Sequence, residues 1–214
     1  MHPNPAFRSE PLFLHLNLLR WRGFGVLIVP VEDDLPMVSH IPFILNDAGT
    51  EAELHLVRSN PMFRAVDRPL RAMLVVNGPD GYVSPDWYED PSNSQVPTWN
   101  YVAIHAKGVL ERATETALRD HLDRLSASFE DRLAPKKPWL AKKMPPQKLE
   151  SMMRAIDVFR FRIEDIDGTW KLNQNKSEAQ RETAAAHMKH GPVGHETDAL
   201  AQMMRGLGPT VTEP

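Results

Sequence analysis

The chain has 214 residues, 42% hydrophobic and 25% charged, with a formal net charge of −3. That is the profile of an ordinary globular protein, large enough to bury a core without staples and a poor electrostatic match to nucleic acid, which favours a basic face. It has no cysteine, which excludes disulfides, thiolate metal sites and thiol nucleophiles and suits a reducing compartment.

Met1-His2-Pro3-Asn4-Pro5 lacks the basic start of a signal peptide, and the next apolar stretch is interrupted by His15, Asn17 and Arg20. No run approaches the roughly 18 apolar residues of a membrane span. The expectation is a cytoplasmic protein with no membrane partner.

Ser9 predicts a helix cap with Pro11 in the first turn. Leu12, Phe13, Leu16 and Leu19 then repeat at helical spacing until Gly23 and Gly25 break the pattern. Phe24 to Val29 predicts a buried strand, Val38 to Leu45 a second and Ala52 to Arg58 a third, the last two forming a hairpin. On the third, Leu54 and Leu56 share one face while Glu53, His55 and Val57 share the other. Asn60-Pro61 starts a short helical turn, and Ala72 to Asn77 is a fourth strand.

Gly78 to Pro97, rich in Pro, Asp, Ser and Asn, predicts a long loop. Trp99 to Arg112 is a fifth strand, and Thr114 to Leu133 an amphipathic helix through Leu118, Leu122, Leu125 and Phe129. A Lys- and Pro-rich connection, 135–146, leads to a short helix over 146–155. Val158 to Ile166 is a strand, Asp167-Gly168 a hairpin turn and Thr169 to Leu172 the return strand. Ser177-Glu178-Ala179-Gln180 is a capping box opening a helix that Gly191-Pro192 stops, and a last helix covers 197–205. This order lacks the regular strand-helix alternation of a Rossmann fold. It predicts a mainly β, α+β protein: an antiparallel barrel or sheet with packed helices.

Several groups of residues carry possible chemistry. His40, His55 and His105 lie on predicted strands, yet no pair has metal-site spacing; a structural or hydrogen-bonding role suits them better than metal. Arg58, with Ser59 and Asn60 after it, would suit a phosphate, or simply a surface ion pair beside an Asn-Pro turn. Gly78 to Tyr88 lacks the Lys and glycine spacing of a phosphate loop. Trp99 with Asn100 offers a flat apolar ring beside a carboxamide that donates and accepts; a core Trp with a turn Asn accounts for the same pair. Lys136-Lys137-Pro138-Trp139-Leu140-Ala141-Lys142-Lys143 is the candidate for DNA contact, without a recognition-helix pattern beside it. No nucleophile elbow or Ser/His/Asp order appears.

Five short blocks occur in order: Ser39-His40-Ile41-Pro42-Phe43, His55 to Pro61, Gly78 to Tyr88, Val96 to Tyr101, and Lys171-Leu172-Asn173-Gln174-Asn175. In these the chain resembles the PaiB-type family of FMN-binding negative transcriptional regulators, from about Gly23 to Ser177. The resemblance implies an FMN-binding split β-barrel over residues 1–176 with a helical extension over 177–214. It implies a homodimer holding FMN between subunits. Carried over, Arg58 with Ser59 or Asn60 would take the phosphate, and Ser39 and His40 would lie near the isoalloxazine. His55 heads the same block as Arg58 and is grouped with the cofactor-binding residues. Trp99 and Asn100 would flank the ring, and Lys171, Gln174 and Asn175 would close the site. Asn173 replaces the usual Ser, and Asp80-Gly81 stand where the family often has His-Ala. The alternatives that stay open are an FMN-dependent oxidoreductase, of flavin-reductase or pyridoxamine-phosphate-oxidase kind, and a flavin-binding module without turnover.

Overall fold

A computed structural model of the chain describes residues 1–89, 94–113 and 118–206. Among the described residues the strands are β1 (Phe24–Val29), β2 (Met37–Leu45), β3 (Glu51–Val57), β4 (Leu70–Val83), β5 (Thr98–Arg112), β6 (Ile156–Lys171) and the short β7 (Gly194–His195). The α-helices are α1 (Leu12–Arg22), α2 (Pro61–Ala65), α3 (Leu118–Glu130), α4 (Pro146–Met153), α5 (Glu178–Met188) and α6 (Thr197–Met204).

A period of two builds the strands. β3 buries Ala52, Leu54 and Leu56 and turns Glu51, Glu53 and His55 the other way. β5 buries Asn100, Val102, Ile104, Ala106 and Leu110 on one face. The strand order is β1-β2-β3-β6-β5-β4, and a further pairing of β1 with β4 closes it, with β7 added beyond β4. Val26 stands opposite His40 on β2 and Val75 on β4; Leu54 stands opposite Phe43 on β2 and Phe159 on β6. The result is a closed six-stranded antiparallel barrel with packed helices, the class expected from the sequence. Closure leaves few free strand edges for another chain to extend.

The chain divides into two compact units, and β4, β5 and β6 each contribute residues to both. The first comprises residues 22–76 and 106–166; the second comprises 1–21, 77–105 and the described residues from 167 onward. The first unit is cored by residues such as Leu27, Phe43, Leu54, Leu74, Phe159 and Phe161. Leu18, Leu19, Ile104, Trp170, Met188 and Leu200 belong to the core of the second.

The start of the expected loop and the expected hairpin turn are strand instead. Gly78-Pro79-Asp80-Gly81 continues β4, and Asp167-Gly168 lies inside β6, so the expected hairpin is one 16-residue strand. The glycines serve close approach rather than chain reversal. A Cβ on Gly78 would lie 2.8 Å from Val102 Cβ, on Gly81 2.5 Å from Met188 Sδ, and on Gly168 2.6 Å from the His15 ring. The buried face of α1 also differs from the leucine spacing: His15, Leu18 and Leu19 are buried, while Leu12 and Phe13 are exposed.

Other boundaries hold closely. Asn60 caps α2 through its side-chain oxygen, and Ser177 with Gln180 forms the expected capping box on α5. The expected helix over 114–133 is α3 followed by a 3-10 turn at Asp131–Leu133; its first residues, 114–117, lie outside the described residues. So do 90–93 of the expected loop and 207–214 of the expected extension. Among the described residues no helix is long and apolar enough to cross a membrane.

Candidate functional site

In the second unit the chain brings the start of β5 to the end of β6. Lys171, the last residue of β6, donates its ammonium to the Thr98 hydroxyl at the first position of β5. Lys176 donates to the Gln95 carboxamide and lies 5.2 Å from the centre of the Tyr88 ring. Tyr88 in turn donates its hydroxyl to Asn173 Oδ1 at 3.3 Å. Two blocks seventy residues apart in sequence therefore form one surface. Burial first, and then the charge of Lys176, hold the Lys171 ammonium below the usual lysine pKa.

Within that surface the side chains divide by role. Trp99 is 46% exposed and meets Tyr82 edge-on at 6.3 Å. Asn100 points to the opposite face of β5 and is fully buried. Neither atom of its carboxamide has a hydrogen-bond partner among the described residues. Gln174 is occupied by its own turn: its oxygen accepts from the Leu172 N–H at 2.8 Å, and its amide donates to the Trp170 carbonyl. That turn needs the left-handed backbone of Asn173, at φ 64°. Asn readily adopts this conformation. Asn175 is exposed.

In the first unit Asn60 Nδ2 donates to Ser39 Oγ at 2.8 Å, joining the β2 block to the block after β3. The same carboxamide caps α2 by accepting from the Met62 N–H at 2.9 Å. Arg58 Nε donates to the Arg154 carbonyl at 2.9 Å, and its Nη2 lies 3.3 Å from Asp157. Ser59 is exposed. His40 is exposed and stacks on Phe24 at 6.4 Å. His55 turns toward α3, where its Nδ1 lies 3.1 Å from His121 Nε2.

The sequence-predicted residues thus fall into two groups. Ser39, His40, His55, Arg58, Ser59 and Asn60 belong to one unit, and Trp99, Asn100, Lys171, Gln174 and Asn175 to the other. Sequence reasoning did not single out Thr98, which lies inside the block Val96 to Tyr101, or Lys176, the residue after the block Lys171 to Asn175.

FMN asks for a cationic phosphate seat, a flat cover for its ring and paired donors and acceptors for its pyrimidine edge. By chemistry alone, and each within its own unit, the Arg58 guanidinium suits the first, the exposed Trp99 ring the second and the carboxamide of Asn100 the third. The donor set fits the cofactor.

The profile of a family described as "Putative FMN-binding domain" matches residues 1–165. The protein named protease synthase and sporulation protein PAI 2, from Bacillus subtilis, is 30% identical over 164 residues, covering 76% of each chain. Among solved structures, an FAD and heme binding protein from Mycobacterium smegmatis superimposes with a TM-score of 0.55 at 20% identity, covering 77% of this chain and 73% of the other. The flavocytochrome Anf3 from Azotobacter vinelandii gives a TM-score of 0.55 at 15% identity, covering 79% and 72%. At these identities the structural likeness is one of fold. The barrel, the donor set and the match over most of the chain agree: the chain belongs to the PaiB-type FMN-binding family, split-barrel proteins whose cofactor is FMN.

Proposed function

We propose that this protein is a cytoplasmic homodimer that holds FMN between its subunits and acts as a negative regulator of gene expression. On this proposal residues 1–176 are the FMN-binding domain and 177–214 its extension. The observation that carries the flavin assignment is the exposed ring of Trp99, one residue along β5 from the Thr98 that Lys171 reaches. A large aromatic left in solvent has little value to the fold and much to a flat ligand. The regulatory part is supported by a relative named for protease synthesis and sporulation.

Arg58, with Ser59 and Asn60, takes the phosphate; Ser39, His40 and His55 line the same unit, and Trp99, Asn100, Lys171, Gln174 and Asn175 serve the ring. Any direct DNA contact would run through exposed Lys136, Lys137, Lys142 and Lys143, of which Lys136 is engaged by Glu130.

The test is the absorption spectrum of the purified protein, with FMN identified after denaturation. Arg58→Ala should weaken FMN retention, and sedimentation should give a dimer. Colourless protein that takes up no added FMN refutes the flavin assignment; a monomer in the presence of FMN refutes the shared site. Retardation of promoter DNA at low salt, lost on replacing the four lysines, separates direct from indirect regulation.

A further inference from the structure

We propose that Arg112 is a second guanidinium of the phosphate seat, held beside Arg58 by the ring of Phe63. This rests on the FMN reading above and deepens it.

Asn60 caps α2 and so fixes Phe63 one turn along, with its side chain 7% exposed. Two arginines from different strand ends use that ring. Arg112, the last residue of β5, has its guanidinium carbon 4.1 Å from the ring centre, and its Nη2 donates to the Phe63 carbonyl at 2.9 Å. Arg58, the first residue after β3, has its guanidinium carbon 5.4 Å from the same centre. Arg112 also lies 5.9 Å from the Phe159 ring.

The charges are unequal. Arg58 has Asp157 beside it at 3.3 Å. Among the described residues Arg112 has no carboxylate, whereas Arg8 is paired with Asp167, Arg124 with Glu53 and Arg205 with Glu182. Two cations on one ring with a single acid leave an excess of positive charge. Both guanidinium groups lie within cation–π reach of the Phe63 ring, and Nε and Nη1 of Arg112, and Nη1 of Arg58, have no partner among the described residues. A phosphate monoester is a dianion whose oxygens accept from such forks two at a time. A riboflavin lacking the phosphate would gain nothing from them.

The experiment measures FMN and riboflavin affinity by flavin fluorescence quenching for the native protein, Arg58→Gln, Arg112→Gln and Arg112→Lys. Arg112→Gln should weaken FMN binding by about tenfold or more, the loss of one charge-assisted bond, and leave riboflavin affinity unchanged. Arg112→Lys should recover part of the loss, and inorganic phosphate should compete with FMN for the native protein but not with riboflavin. If Arg112→Gln binds FMN as the native protein does while Arg58→Gln does not, Arg112 is no phosphate ligand and the FMN reading stands. If Arg112→Gln loses both flavins alike, or Arg112→Lys is no better than Arg112→Gln, the charge argument is overturned. If the native protein binds neither flavin, both readings fall.

Discussion

His55 Nδ1 and His121 Nε2 lie 3.1 Å apart, one imidazole from β3 and one from α3. His121 is fully buried, and its Nδ1 faces Glu53 at 3.5 Å, a carboxylate that also takes Arg124. A bond between two imidazoles requires one ring to donate and the other to accept, so the pair cannot hold two extra protons and keep it. Burial above all, then the neighbouring His55, brings the His121 pKa down to about 4 from 6.5. Burial lowers His55 as well.

Acid should therefore loosen the packing of α3 on the barrel. Between pH 6.5 and about 4 the unfolded imidazole takes a proton that the folded one refuses. Stability is thus full above that window and falls as pH drops through it, by at most about 1.4 kcal/mol per pH unit for each proton. Urea unfolding of the native protein and His121→Leu at several pH values checks this. The variant should show a shallower acid limb; parallel limbs would assign the loss to other groups.

Glycine-to-alanine changes should rank by what the new methyl meets. Gly108→Ala drives its Cβ to 1.9 Å from the Arg162 carbonyl, a backbone atom that cannot yield. Gly168→Ala meets the His15 ring at 2.6 Å, and His15 is pinned there by the indole N–H of Trp170, donated at 3.0 Å. Each should cost about 1–3 kcal/mol or more, with Gly108 the worse. If Gly168→Ala were neutral in thermal unfolding, the His15 ring would have yielded to the methyl and the close approach would not be what keeps glycine there.

Trp99 and Trp170 should part company when replaced. Trp170 is 2% exposed, and its loss should cost about 3–5 kcal/mol. Trp99→Ala should change stability by no more than about 0.5 kcal/mol yet lower FMN affinity by about tenfold. Stability and flavin titrations on the same two variants decide it; a large stability loss at Trp99 would make it a packing residue.

Asn100→Leu should stabilise the flavin-free protein by about 1 kcal/mol, because it removes a buried carboxamide with no partner among the described residues. FMN affinity should fall in the same variant if the carboxamide meets the cofactor. Destabilisation by the leucine would mean that a water satisfies both atoms.

Much of the barrel was legible because the chain states it locally. The β1 boundaries, the β2–β3 hairpin, the Asn60 cap and the Ser177 capping box follow from alternation and side-chain capping over a few residues. The expected loop start at Gly78–Gly81 and the expected turn at Asp167-Gly168 differ from the strands found there for one reason. A glycine that reverses the chain and a glycine that admits a neighbour look alike in sequence, and His15 and Met188 lie far from them along it. The site divides in the same way. The blocks at 95–101 and 171–175 carry recognisable chemistry, but that Lys171 reaches Thr98 is a product of strand pairing.

By itself the sequence determined the absence of thiol chemistry, the antiparallel class and the residue types that a flavin requires. Those are properties of composition, local periodicity and short motifs. Tertiary structure alone decided that Asn100 is buried without a partner, that His55 faces His121 and that Arg112 lies on the ring of Phe63. Each depends on where distant segments meet, and burial and pairing of charge are set by that meeting rather than by neighbours along the chain.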